Sequence, residues 1–192
     1  MDSQQNVSRG RMPVSARLIA ARKQKKGRKW GAGVIAAVIP FNFPCDLFDQ
    51  KVAPALLAGN AVIVKPSTDN PLALCMLTAL LGEAGVTPGA IQIVTGRGSK
   101  VGNWLCTNPD VDAITLTGST EVGIETAHHA ADHLAHTPLE LGGNDAFILL
   151  PDGDVDLAVD ELMWGRMYNT GQVCCASKRF LTHRSLVDEF TS

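Results

Sequence analysis

Two adjacent thiols, Cys174 and Cys175, follow Gly171-Gln172-Val173 near the end of a 192-residue chain. A cysteine thiolate is a nucleophile and a metal ligand, whereas buried cysteines are usually inert packing groups. Thirty-four positions earlier, Glu140 stands between Leu139 and Leu141. A carboxylate among apolar neighbours is costly unless it is paired or used. Thr117-Gly118-Ser119-Thr120 joins an apolar run to a helical pattern. Such a helix start offers unbonded backbone N–H groups to an anion, Gly118 permits close approach, and Ser119 adds a hydroxyl. As a plain N-cap Ser119 contributes about 1 kcal/mol, and taken alone that is its commoner role. Lys65, before Pro66, and Asn42, within Pro40-Phe41-Asn42-Phe43-Pro44, also follow apolar runs. Singly, the first reads as a strand-end surface lysine and the second as turn chemistry. His129, His133 and His136 recur at i, i+4 and i+7, with His128 beside them. On one helix that spacing puts three imidazoles on one face, as a zinc or nickel site requires. Most such spacings bind nothing, and no metal is expected.

These residues need elements to hold them. Gly33–Ile39 and Asn60–Lys65 are continuous β-branched and small apolar runs, the pattern of strands buried on both faces. Between them, Pro44 opens a helix in which Leu47, Phe48, Val52, Leu56 and Leu57 recur until Gly59. A helix over Pro71–Ala84 closed by Gly85, a strand at Ile91–Val94, a helix near Lys100–Cys106 and a strand at Ala113–Leu116 continue the alternation. Alternation at this spacing implies parallel strands with right-handed crossovers, a doubly wound α/β sheet. Such a sheet binds ligands at the carboxyl ends of its strands, where Asn42, Lys65, Gly118 with Ser119, and Glu140 fall. From Asp145 a new strand (Ala146–Leu150), helix (Val155–Met167) and strand (Arg179–Thr182) follow, with a boundary near Gly142-Gly143.

Composition agrees with a soluble globular protein: 45% hydrophobic, 19% charged, net charge −2. No apolar run reaches the roughly 18–20 residues of a bilayer span. Residues 1–30 carry nine of the seventeen basic side chains and only one acid, Asp2. Basic arms can bind nucleic acid or anionic membranes. The expectation here is a solvated lead-in, with no nucleic-acid and no membrane partner. The five cysteines are odd in number and lack C-x-x-C spacing, which disfavours a disulfide framework and fits a reducing, cytoplasmic setting. Cys45, Cys75 and Cys106 read as small core residues. The G-x-G-x-x-G fingerprint of dinucleotide binding is missing.

Five strings, in order and at fixed separations, nonetheless resemble the aldehyde dehydrogenase superfamily. They are Pro40-Phe41-Asn42-Phe43-Pro44, Val64-Lys65-Pro66-Ser67, Leu116 to Gly123, Leu139-Glu140-Leu141-Gly142-Gly143-Asn144-Asp145, and Asn169 to Cys174. The resemblance implies a Rossmann-like cofactor domain over 31–142, the beginning of a second α/β catalytic domain over 143–192, and an arm over 1–30. In the arm, Gly10-Arg11-Met12-Pro13-Val14 resembles the family's bridging hairpin. It further implies that Cys174 attacks an aldehyde to give a thiohemiacetal, Asn42 stabilises the oxyanion, hydride passes to a nicotinamide, and Glu140 activates water to hydrolyse the thioester. Cys175 is then a small neighbour. The implied cofactor contacts are Lys65, Ser67 and Thr68 towards the adenosine ribose, Gly118 and Ser119 towards the pyrophosphate, and Phe41 and Gly142 alongside. Glu140 indicates the hydrolytic branch rather than acyl transfer to coenzyme A. Thr68, where many NAD-preferring relatives carry a glutamate, indicates that NADP is accepted as well as NAD.

The wording of the motifs is similar to the succinate-semialdehyde and related aliphatic branches. The resemblance also implies homo-oligomeric full-length relatives and a chain cut shortly after its nucleophile. The alternative function is therefore a truncated, non-catalytic nucleotide-binding or interaction module.

Overall fold

The computed structural model describes Gly31 and residues 33–192, so the basic arm and its hairpin resemblance lie outside the described residues. Two compact units emerge, one ending at Glu140 and one spanning Leu141–Ser192.

The first unit is built on β1 (Val34–Val38), β2 (Ala61–Lys65), β3 (Ile91–Ile93), β4 (Ala113–Thr117) and β5 (Leu139–Glu140). They pair in the order β3-β2-β1-β4-β5, every pair parallel, as the alternation predicts. Parallel neighbours cannot be joined by hairpins, so helices make the crossovers. These are α1 (Pro44–Leu57), α2 (Pro71–Glu83), α3 (Asn103–Thr107), entered through a π-helical turn at Gly98–Gly102, and α4 (Thr120–Ala131). Pro44 and Pro71 open α1 and α2 at positions where no backbone donor is needed. Gly59 and Gly85 follow the helix ends at φ +82° and +95°, a backbone region that glycine enters without strain.

The side chains of the central strands divide between two cores. Ala37, Val62 and Val64 pack with Phe48, Val52, Ala55 and Leu74 from α1 and α2. Val34, Ala36, Ile63 and Ile114 pack with Leu105, Cys106 and Ala130 from α3 and α4. Both faces are covered, which is why all five residues of β2 are buried and its sequence shows no polar alternation. Asn60 locks the entry to β2: its Oδ1 accepts from Gly33 N–H at 2.9 Å and its Nδ2 donates to the Ala55 carbonyl at 3.0 Å.

Glu140 falls at a strand end, as its position implies, closing the two-residue strand β5, which is too short for a hydrophobic pattern to register. Two expectations change. Of the three cysteines read as core residues only Cys106 is buried; Cys45 is exposed in the first turn of α1 and Cys75 is half-buried. The histidine helix ends earlier than its spacing requires. α4 stops at Ala131, Leu134 takes φ +58°, and His136 bridges to Ala113 beside β4. His129, His133 and His136 therefore do not share a helix face. Among the described residues no group of three such side chains is placed to hold a metal ion.

The second unit pairs β6 (Asp145–Leu149) with β7 (Ser177–Thr182) in parallel. Between them run α5 (Val155–Met167), capped by Asp154 accepting from Leu157 N–H, and a 3-10 turn at Tyr168–Gly171. Leu149, Val155 and Ala158 form its core, with Phe147, Leu186 and Phe190 against it and α6 (Val187–Thr191) at the end. No helix among the described residues is long and apolar enough to cross a membrane.

Candidate active site

In the first unit the candidate residues gather along one edge of the sheet. The register sets Val38 of β1 opposite Lys65 of β2 and opposite Leu116 of β4, while Thr117 lies opposite Glu140 of β5. Lys65 ends β2, and Thr117 and Glu140, one residue further on, end β4 and β5 at the same carboxyl edge. The strand order turns between β1 and β4, the point where an open α/β sheet leaves a crevice for a ligand. Asn42 is half-buried in the bend that leaves β1, and Phe41 beside it is 46% exposed. Ser67 and exposed Thr68 lie in the loop that leaves β2. That loop is tied to the first: Asn70 Nδ2 donates to the Phe41 carbonyl at 2.6 Å. Within it, Ser67 Oγ bonds to Asp69 at 3.3 Å.

Lys65 is only 4% exposed, and its ammonium donates to the Pro66 carbonyl at 2.9 Å. Burial holds its pKa below the usual lysine range. The surface-lysine alternative is thereby excluded for this position. At the start of α4, Ser119 Oγ accepts from Val122 N–H at 3.3 Å, the N-cap geometry, and the Gly118 N–H donates to the Glu140 carbonyl at 3.0 Å. Gly118 N–H is thus engaged in joining β4 to β5. A Cβ on Gly118 would meet Leu116 only at 3.5 Å, an ordinary contact. The Ser119 hydroxyl keeps its proton to donate while its oxygen caps the helix.

Two residues of this edge escaped sequence reasoning. Lys51 sits on the buried face of α1 with Phe48, Val52 and Ala55, 8% exposed, and its ammonium donates to Thr115 Oγ1 of β4 at 3.2 Å. Burial lowers its pKa, and the Glu140 carboxylate partly offsets that effect. A single lysine on an otherwise apolar helix face was the signal. Thr117 Oγ1 is buried without a hydrogen-bond partner among the described residues. A native protein seldom leaves such a group unpaired; Asn70 Oδ1, Thr78 Oγ1 and His133 Nε2 share this status among the described residues.

The second unit presents the thiols. Cys174 and Cys175 are both exposed, in the turn before β7. Gly142 is exposed in the segment before β6, but it is Gly143 that the fold requires. A Cβ there would come within 2.5 Å of the Cys174 carbonyl oxygen and 3.1 Å of Asp145 Oδ1. Lys178, also missed, donates to the Cys174 carbonyl at 2.9 Å.

Sequence profiles of the aldehyde dehydrogenase family match residues 9–192. The chain belongs to that family. Among characterised aldehyde dehydrogenases, it is 46% identical over 158 residues to the 3,6-anhydro-alpha-L-galactose dehydrogenase of Streptomyces coelicolor. It is 39% identical over 160 residues to the NADP(+)-dependent D-glyceraldehyde dehydrogenase of Thermoplasma acidophilum. These alignments cover 82% and 83% of the chain but 32% of each relative, so the chain spans about a third of the length of the curated relatives it matches. The crystal structure of an aldehyde dehydrogenase from Brucella melitensis biovar abortus superposes with a TM-score of 0.81 at 40% identity, covering 84% of this chain and 34% of that one. A 3,6-anhydro-L-galactose dehydrogenase in complex with NAP gives 0.82 at 38% identity, with the same coverage. An aldehyde dehydrogenase of Bacillus cereus in complex with NAD+ gives 0.82 at 34%, covering 85% of this chain and 33% of that one.

Proposed function

We infer that this chain carries the cofactor cradle and the nucleophile segment of an enzyme that oxidises an aldehyde to a carboxylic acid with NAD(P)+. The observation that carries this reading is that Lys65, Thr117 and Glu140 end β2, β4 and β5 at the carboxyl edge of a parallel sheet, beside its switch point. A buried lysine at the end of β2 and the start of helix α4 form a donor set suited to the hydroxyls and phosphates of a dinucleotide. When bound, that dinucleotide supplies the hydride acceptor. Relatives named for NADP(+) and solved with NAP or NAD+ support either form of the cofactor.

The residues divide the work by their chemistry. Lys65, Ser67 and Thr68 hold the adenosine ribose; Gly118 and Ser119 lie towards the pyrophosphate; Phe41 and Gly142 are further cofactor contacts. The Cys174 thiolate adds to the aldehyde carbon, and the Asn42 amide takes the developing oxyanion; one such donor is worth about 3–4 kcal/mol in the transition state. After hydride leaves, a thioester remains on Cys174. Glu140 removes a proton from water as that water attacks the thioester carbonyl, and Cys174 departs as the thiolate. Lys51 lies in electrostatic reach of that carboxylate and acts on it as a positioning residue. Relatives named for D-glyceraldehyde and an anhydro sugar support a small hydroxylated aldehyde as substrate.

Glu140→Gln tests the reading by separating the two half-reactions. With D-glyceraldehyde and NADP+, the variant is expected to accumulate an acyl group on Cys174, read as an added mass on the tryptic peptide 167–178. If the acyl group accumulates equally in both proteins, Glu140 is not the hydrolytic base. Dinucleotide binding without acylation or turnover would instead support a non-catalytic module.

A further inference from the structure

Asn70 stands at the start of α2, where an asparagine ordinarily turns its side-chain oxygen back onto the unbonded N–H groups of the first turn. Here it makes no side-chain cap bond. Its side-chain nitrogen instead reaches twenty-nine positions back along the chain and donates to the Phe41 carbonyl at 2.6 Å. Only the amide nitrogen can face a carbonyl, so the orientation of the group follows from its chemistry. Its Oδ1 is buried and accepts no hydrogen bond among the described residues. A local bond at the helix start has been given up for one that joins two loops.

Both loops belong to the carboxyl edge of the sheet. One carries Phe41 and Asn42 out of β1, and the other carries Ser67 and Thr68 out of β2. Their roots are joined as well, because Ile39 N–H donates to the Lys65 carbonyl at 3.0 Å. The second loop is braced internally: the Ser67 hydroxyl donates to Asp69 Oδ2 and accepts from Asp69 N–H, both at 3.3 Å. A displacement of Ser67 is therefore carried through Asp69 to Asn70. From there it reaches the Phe41 carbonyl, which belongs to the same peptide unit as the Asn42 N–H.

We propose that Asn70 is a positioning residue. It holds the turn bearing Asn42 against the loop that takes the cofactor ribose, so that a dinucleotide bound at Ser67 and Thr68 also fixes Asn42. An oxyanion donor is effective only when it is held in place before charge develops, and a small misplacement of such a group costs a large factor in rate. The roles of Asn42 and of the ribose loop rest on the functional reading above; the bond between the loops does not.

The test compares the unaltered chain with Asn70→Ala and with Asn70→Asp, which keeps the size of the side chain but lacks the donated N–H. Amide hydrogen exchange is read at Phe41, Asn42 and Phe43, with the buried strand β2 as an internal reference. Without ligand, both variants are expected to exchange at these three amides about two- to tenfold faster, the range of one hydrogen bond, with β2 unchanged. NADP+ is expected to slow the same amides in the unaltered chain and not in the variants, while its calorimetric affinity stays within about twofold. In aldehyde oxidation, kcat falls at saturating NADP+ while the KM for NADP+ is kept, a split that general loosening of the fold does not produce. Unaltered exchange in both variants, faster exchange spread equally into β2, or protection by NADP+ that persists in the variants overturns the proposal. An unaltered chain that binds no NADP+ overturns the functional reading instead, and the ligand-free comparison still decides whether Asn70 holds the turn.

Discussion

The buried ammonium of Lys51 and the carboxylate of Glu140 are electrostatically coupled at the carboxyl edge of the sheet: burial drives the lysine below its ordinary range, and the carboxylate raises it part of the way back. The consequence has a definite sign. Because the folded-state pKa is depressed, the unfolded chain binds more protons between the two values. The stability contributed by Lys51 is present above its unfolded pKa and is lost as pH falls through the folded one. Buried Lys65 has the same sign. Lys51→Met should flatten the alkaline rise in stability and, by replacing a buried ammonium, raise neutral-pH stability on the order of 1 kcal/mol. Urea unfolding across the alkaline range measures both; an unchanged slope contradicts the lowered pKa of Lys51.

Asn60 is the internal brace of the first unit, with donor and acceptor both engaged. Asn60→Ala leaves the Gly33 N–H and the Ala55 carbonyl each short of a partner. A loss of about 2–3 kcal/mol is expected from two buried hydrogen bonds. A shift in the urea midpoint at constant slope is the measurement, and a change below about 0.5 kcal/mol would mean the site relaxes or admits water.

Gly143→Ala places a methyl against the Cys174 carbonyl oxygen, so the thiol turn or the strand entry must move. The expected cost is about 1–3 kcal/mol. The rates at which iodoacetamide alkylates Cys174 and Cys175 should change in ratio, because the turn that sets their exposure is displaced. Unaltered rates together with unaltered stability would show that the close approach does not constrain the turn.

Thr68 is exposed beside Ser67 and adds no charge to the loop that follows Lys65. Thr68→Glu introduces a carboxylate where a 2′-phosphate is proposed to lie. Binding of NADP+ should weaken about tenfold relative to NAD+, some 1.4 kcal/mol of discrimination. Equal weakening of both cofactors, followed by calorimetric titration, would place the phosphate elsewhere.

Much of this arrangement was legible before any coordinates, and the reasons differ by residue. The runs at Val34–Val38 and Ala61–Lys65 are apolar on both faces, so period and length alone identify buried parallel strands. The proline openings and glycine closures of α1 and α2 fix their ends. Glu140 was singled out as a carboxylate between leucines, but its strand has two residues and exists through pairing with Thr117 rather than through local preference. Lys51 was missed because a lysine in a helix is ordinarily solvated; only packing against Thr115 shows that it is buried. Gly143 and Lys178 act through the backbone of a turn thirty-one residues away in one case and four in the other, contacts no local pattern encodes. The histidines failed in the opposite sense: their spacing suggests a helix face, and α4 ends before it forms.

The proposed aldehyde oxidation depends on the thiol at position 174. The direct measurement follows the absorbance of reduced nicotinamide when the protein meets D-glyceraldehyde and NADP+ or NAD+, comparing the unaltered protein with Cys174→Ser and Cys175→Ser. The account predicts aldehyde-dependent reduction in the unaltered protein, its retention in Cys175→Ser, and its loss to background in Cys174→Ser. Undiminished reduction in Cys174→Ser, or loss confined to Cys175→Ser, contradicts it.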